Sequence, residues 1–190
     1  MHKQMKVIAF SASPRRGGNT QTLLKEAIKG TGMDVRVFEL NTMSIRPCQN
    51  CGGCEETGVC IIPDDMQEII NAIREADRII MASPIFFLGV SAQAKAMIDR
   101  CQQIWCEKYL LKKEIPAGEF GRKGLFIVLG GMKMATGVEC SEKTVKAWFR
   151  TISVPEHKTI SYLQVDAMGD ILKHPTAMKD ALEAGKSLVS

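Results

Sequence analysis

The 190-residue chain contains no apolar run approaching the roughly 20 residues that a membrane span requires. Histidine is scarce: His2, His157 and His174 are scattered, and none has a serine or cysteine partner at a suggestive spacing, so a hydrolytic triad is not indicated. Charge of one sign is also scarce, since 25 basic against 21 acidic residues leave a formal net charge of +4 with the basic residues dispersed. No recognition motif accompanies them, which argues against nucleic-acid binding, although a weak positive field can help to dock an acidic electron-transfer partner. The densest basic stretches, Lys108 to Lys113 and Arg122-Lys123, read as solvated loops. Internal repeats and low-complexity segments are missing, and Met1 to Lys6 runs into a strand-like stretch without a secretory leader. With 45% hydrophobic and 24% charged residues, the expectation is one soluble, cytoplasmic domain over residues 1–190.

Cysteine is concentrated in one place. Four of the seven lie in a single short segment, Cys48-Gln-Asn-Cys51-Gly-Gly-Cys54-(x5)-Cys60. Thiolates are soft ligands, and four on one loop can wrap a single inorganic centre without the rest of the fold moving. The run differs from the bacterial ferredoxin pattern, in which the third gap is three residues and a proline follows the last cysteine. Here all four can ligate one cubane, with Gly52, Gly53 and Gly58 supplying the tight turns. Structural zinc prefers two independent cysteine pairs separated by a dozen or more residues, which two overlapping CxxC units fit poorly. An odd cysteine count and the missing leader disfavour disulfides. An iron–sulfur centre on a loop over residues 43–63 is the favoured reading, with zinc as the alternative. Cys101 and Cys106, about 140° apart on a helix of 3.6 residues per turn, and the isolated Cys140 read as small core residues.

Apolar β-rich runs alternate with amphipathic stretches along the rest of the chain, the pattern of βαβ units and a parallel sheet. Strands are expected at Lys6 to Phe10, Asp34 to Glu39 (Val35 and Val37 alternating), Arg78 to Ala82, Gly124 to Leu129 and Lys158 to Gln164, the last an edge strand. Helices are expected from Thr20 to Lys29, from Met66 with Asp64 or Asp65 as cap, and from Ser91 to about Cys106 with Ala94, Met97, Cys101 and Ile104 on one side. Two more follow around Val145 to Ile152 and Met178 to Gly185. Glu107 to Gly121 lacks periodicity and reads as an irregular, interfacial excursion. Five strands in this order fit an α/β doubly wound sheet of flavodoxin type, order 2-1-3-4-5, with the cysteine loop after strand two.

The first strand is followed by Ser11-Ala12-Ser13-Pro14-Arg15-Arg16-Gly17-Gly18-Asn19-Thr20. A loop of hydroxyls and glycines that opens a helix at a strand's carboxyl end is where open α/β sheets bind phosphate. Gly17 and Gly18 admit a ligand close to the backbone, Ser11, Ser13, Asn19 and Thr20 can donate hydrogen bonds, and Arg15 can neutralise charge. Neither G-x-G-x-x-G nor a P-loop is present. Two further loops share the same edge. Ser83-Pro84-Ile85-Phe86-Phe87-Leu88-Gly89 offers apolar and backbone groups to a flat ring, and Gly130-Gly131-Met132 permits close backbone approach. Met132 and Met134 read as packing residues.

Ser11-x-Ser13-Pro14-Arg15-x-x-Gly18-Asn19-Thr20, Ser83-Pro84-Ile85-Phe86-Phe87 and Ser91-Ala92-Gln93-x-Lys95-x-x-Ile98-Asp99-Arg100 together resemble the flavodoxin-like NAD(P)H-dependent FMN reductases. Cys48, Cys51, Cys54 and Cys60 narrow the resemblance to the iron–sulfur flavoproteins of anaerobic archaea and bacteria. It covers roughly residues 5 to 135. The resemblance implies FMN and one [4Fe-4S] cluster per chain, assembly as a homodimer or homotetramer, and electron transfer with a ferredoxin-like or other small redox donor. Ser11, Ser13, Arg15, Gly18, Asn19 and Thr20 would hold the FMN phosphate. Pro84, Ile85, Phe86, Phe87 and Gly89, with Gly130 and Gly131, would line the ring, Phe86 standing where relatives often carry tyrosine. Two other readings stay open: an NAD(P)H-dependent FMN or quinone reductase without a cluster, and a non-enzymatic redox-sensing or zinc-stabilised module.

Overall fold

The computed structural model describes residues 4–115 and 119–190. Its elements are β1 (Val7–Ser11), α1 (Asn19–Thr31), β2 (Val35–Glu39), α2 (Met66–Glu75), β3 (Arg78–Phe86), β4 (Gly89–Val90), α3 (Ala92–Arg100), α4 (Gln102–Trp105), β5 (Lys123–Gly130), α5 (Ala135–Thr151), β6 (Glu156–Leu163), α6 (Asp170–Lys173) and α7 (Ala177–Val189). Five of the strands form the expected parallel sheet, in the order β2-β1-β3-β5-β6. The sixth, the two-residue β4, pairs antiparallel with the end of β3 and was not foreseen.

Alternation along the strands sorts the core into two layers. Ile8, Phe10, Ile79, Met81, Phe126 and Val128 face a cluster shared with α2, α3 and α5, whereas Ala9, Ile80, Ala82, Leu125, Ile127 and Leu129 face α1 and α7. On β2 the buried residue is Phe38, stacked on Phe10 at 5.4 Å, and Val37 is exposed, contrary to the expected alternation. α1 and α7 approach so closely that a Cβ at Gly185 would stand 1.9 Å from the Ala27 carbonyl oxygen, and one at Gly30 would stand 2.1 Å from that of Leu182. Only glycine permits this contact.

Three elements depart from expectation. β3 continues beyond Ala82 to Phe86, because its pairing with β5 extends to Pro84 opposite Leu129 after β1 has ended opposite Ala82. Pro84 can lack its N–H there, since β3 no longer has a neighbour on the β1 side. The long helix after Ser91 is interrupted at Cys101 and ends in a π-helical turn, Cys106–Leu110. This turn occupies the start of the segment expected to be irregular, of which residues 116–118 lie outside the described residues. Finally, Arg122 is not in a solvated loop. It is 2% exposed and donates to the carbonyls of Ala76, Ile152 and Arg74, joining the start of β5 to the carboxyl-terminal ends of α2 and α5.

Candidate functional site

The cleft at the carboxyl ends of β1, β3 and β5 is lined by Ser13, Pro14, Arg15, Gly18, Asn19, Thr20, Pro84, Ile85, Phe86, Leu129, Gly130, Gly131, Val165, Asp166 and Met168. The first turn of α1 forms its floor. Gly18 at the N-cap makes no side-chain cap bond and no acidic residue stands in that turn, so no carboxylate of α1 itself offsets the positive end of the helix dipole where it meets the cleft. The preceding loop is fixed locally. Ser13 Oγ accepts from the Arg15 N–H at 3.2 Å, and the Gly17 N–H donates to Gln21 Oε1 at 2.6 Å. Gly17 sits at φ +67°, where glycine carries no steric penalty.

Serines bind the neighbouring loops together. Ser91 caps α3 by accepting from the Ala94 N–H, donates its hydroxyl to the Ala12 carbonyl at 2.8 Å, and gives its own N–H to Ser83 Oγ at 3.0 Å. The β1, β3 and α3 ends are therefore one hydrogen-bonded unit. Ten of the thirteen residues expected at the flavin line this cleft: Ser13, Arg15, Gly18, Asn19, Thr20, Pro84, Ile85, Phe86, Gly130 and Gly131. Ser11, Phe87 and Gly89 do not. Ser11 is buried within β1, Gly89 lies in β4, and Phe87 projects into solvent at the tip of the β3–β4 hairpin. Met132 and Met134 are exposed rather than packed.

A fourth wall, the loop after β6, was not read from the sequence. Asn19 Nδ2 donates to the Ala167 carbonyl at 2.8 Å, while Asn19 Oδ1 accepts from the Gly169 N–H at 2.9 Å. Arg15 Nη1 donates to the Asp166 carbonyl at 3.2 Å. Asn19 thus spends its side chain tethering this loop. The signal available was topological: in this strand order the loop after the last strand must neighbour the one after β5. A larger groove lined by Lys123, Lys146, His157 and Lys158 opens at the opposite, amino-terminal ends of β5 and β6. The carboxyl-end cleft is the better candidate, because ligands of open α/β sheets bind at that end.

The cysteine segment folds against α3 and α4. Cys48, Cys51, Cys54 and Cys60 all line one pocket, which also includes Arg100, Gln103 and Cys106. Asp64 and Arg100 hold the loop at its two ends. The Arg100 guanidinium donates to Asp64 Oδ2 at 2.6 Å and to Oδ1 at 3.0 Å, and also to the carbonyls of Arg46 and Ile62. Asp64 further accepts from the N–H groups of Arg46 and Met66, so it both caps α2 and anchors the loop. Burial opposes the Asp64 charge, but the hydrogen bonds from Arg100 and the backbone outweigh it and hold the carboxyl below its ordinary value of 3.8. Within the loop Asn50, Gly52 and Gly58 have positive φ. Gly58 at φ +76° is pressed on Glu107, whose Cγ would stand 2.3 Å from any Cβ there. Glu107 in turn pairs with Arg74 at 2.7 Å.

Cys106 was read as a plain core residue; it is buried, but its Sγ lies 3.6 Å from that of Cys54. Burial and this neighbouring thiol push Cys54 up to about 12. Cys101 behaves as a core residue, accepting from Trp148 Nε1 at 3.2 Å. Cys140 does not: it is exposed, because the stripe Gly137, Ser141, Val145, Trp148 turns the other face of α5 inward. Among the described residues no group of three or more His, Cys, Asp or Glu side chains stands at metal-holding geometry. No helix among them is long and apolar enough to cross a membrane.

Comparison with known proteins agrees with this geometry. Residues 5–162 match the family described as NADPH-dependent FMN reductase. The chain is 43% identical over 103 residues to an iron–sulfur flavoprotein of Methanocaldococcus jannaschii, covering 53% of each chain. It is 34% identical over 116 residues to the iron–sulfur flavoprotein of Methanosarcina thermophila, covering 60% of this chain and 61% of that one. The aligned stretch thus spans about half to three-fifths of these relatives. A second iron–sulfur flavoprotein of M. jannaschii is 32% identical over 149 residues, 76% of this chain and 71% of the relative. The fold is that of an NAD(P)H:quinone oxidoreductase from Methanothermobacter marburgensis, with a TM-score of 0.73 at 18% identity over 99% of this chain and 98% of that one. The chain belongs to the NADPH-dependent FMN reductase family and, within it, to the iron–sulfur flavoproteins.

Proposed function

We propose that this protein is an electron-transfer oxidoreductase that carries FMN in the carboxyl-end cleft and a [4Fe-4S] cluster on Cys48, Cys51, Cys54 and Cys60. It exchanges electrons with a small acidic donor such as a ferredoxin. The observation that carries the reading is the presence, in one chain, of two pockets with different donor chemistry and no lining residue in common. When bound, the flavin takes up electrons in pairs or singly and the cluster passes them singly. The cleft's work is to hold and orient. Arg15 and the α1 amides favour a phosphate, the Ser83–Ser91–Ala12 network keeps three loops in register, and Pro84, Ile85 and Phe86 exclude water from a ring.

The cysteine pocket fits an iron–sulfur group by its donors. Five thiols line it, the four of the cysteine segment and Cys106, and two nitrogen atoms in its wall, on Arg100 and Gln103, have no partner among the described residues. An NAD(P)H-dependent FMN or quinone reductase without a cluster is the second reading, favoured because no three His, Cys, Asp or Glu side chains among the described residues stand at metal-holding geometry. Anaerobic purification followed by iron, sulfide and flavin assays separates the two. Flavin with about four irons per chain, as a [4Fe-4S] centre requires, and visible absorption that bleaches with dithionite are expected. Flavin alone would establish the second reading.

A further inference from the structure

Four buried side-chain polar atoms lack a hydrogen-bond partner among the described residues, and two of them, Gln103 Nε2 and Arg100 Nε, belong to residues of the cysteine pocket. Gln103 is 1% exposed. Its amide orientation is fixed by the backbone, because Oε1 accepts from the Cys60 N–H at 3.3 Å. A flipped amide would set two donors against each other, so the NH₂ end is the free one. A buried NH₂ group without an acceptor is unfavourable, and a sulfur-rich centre held by the adjoining thiols supplies the acceptor that the protein lacks.

We propose that Gln103 is a positioning residue that donates a hydrogen bond through Nε2 to a sulfur of the cluster and thereby raises its reduction potential. This rests on the cluster reading above. Reduction adds negative charge to the centre, so an N–H donor aimed at its sulfur stabilises the reduced form more than the oxidised one. Arg100 Nε stands in the same wall with the same sign of effect, but its guanidinium is committed to Asp64 and the loop carbonyls. Gln103 can therefore be varied without removing the anchor.

The test compares the anaerobically reconstituted full chain with Gln103→Met and Gln103→Glu, measuring iron per chain and the cluster midpoint potential at pH 8.5. Gln103→Met removes the donor. Gln103→Glu keeps the acceptor for Cys60 and replaces the donor by a negatively charged oxygen. Both variants should shift the potential to more negative values, Gln103→Glu farther, with FMN content unchanged. Potentials equal to wild type in both variants would overturn the proposal. So would a Gln103→Glu protein that matches wild type while Gln103→Met alone loses iron, since Gln103 would then serve only to hold Cys60. A wild-type chain that takes up no iron refutes the cluster reading itself, before any variant is compared.

Discussion

Asp64 and Arg100 meet with side chains 3% and 1% exposed, and removing one partner of such a pair leaves an uncompensated buried charge. Asp64→Asn should therefore cost about 3–5 kcal/mol at neutral pH, read by denaturant unfolding, and should release the cysteine loop to proteolysis, because Arg46 and Ile62 hang on the same guanidinium. The pH dependence has a definite sign. The folded Asp64 carboxyl ionises below its ordinary value of 3.8, so its contribution is complete above that value and is lost as pH falls through the folded pKa. The stability gap between wild type and Asp64→Asn should stay level from pH 7 to about pH 5 and close in stronger acid. A gap that widens on acidification would contradict the assignment. Arg15 is a different case, an exposed residue at the cleft mouth whose guanidinium donates to the Asp166 carbonyl. Arg15→Ala should weaken FMN binding by about 1.5–3 kcal/mol, the range for hydrogen bonds to charged groups, and should leave riboflavin affinity nearly unchanged. Equal FMN affinity in both proteins would remove Arg15 from the site.

The β3–β4 hairpin turns through Phe87 and Leu88, both at positive φ, 47° and 65°, the pattern of a type I′ turn that favours asparagine and glycine. Phe87 is fully exposed, so nothing in the chain's own packing offsets this conformation. Phe87→Gly should raise stability by about 1 kcal/mol, read as a higher melting temperature, without changing FMN affinity, because Phe87 does not line the cleft. A lower melting temperature would mean that Phe87 packs on the chain itself. The hairpin was hidden from sequence reading because Pro84 and two apolar residues replace the usual turn chemistry. Elements with local, periodic signals were legible: the β1 run and the α2 stripe of Met66, Ile69, Ile70 and Ile73 stand where the residues placed them, and the four closely spaced cysteines line one pocket. Gln103, Arg100 and Cys106 were not legible as pocket residues. They reach the cysteines from a helix some forty residues later, and the interruption at Cys101 and the π-helical turn, which no residue pattern announced, shape that helix where it meets them.

At the scale of the whole molecule the two pockets are separated. Ser91 touches Ala12 beside the phosphate loop, whereas Cys106 lies fifteen residues further along an almost continuous helical path, roughly 20 Å at 1.5 Å per residue. Exposed apolar side chains gather near each pocket, Phe86, Phe87 and Met168 by the cleft and Val59, Ile61 and Trp105 by the cysteine loop, and such groups mark surfaces that associate. A homo-oligomer that sets one chain's cysteine loop against another's cleft would cover both groups and shorten the path between the two centres, which a single chain cannot do. Light scattering of the holo-protein should give at least twice the 21.0 kDa chain mass. Phe87→Gly, while more stable as a fold, should weaken that association. Stopped-flow reduction across a dilution series should then show cluster-to-flavin transfer slowing as wild type dissociates, and slowing at higher protein concentration for Phe87→Gly. A strict monomer with rapid, concentration-independent transfer would show that the separation within one chain is crossed unaided and that these apolar surfaces serve another purpose.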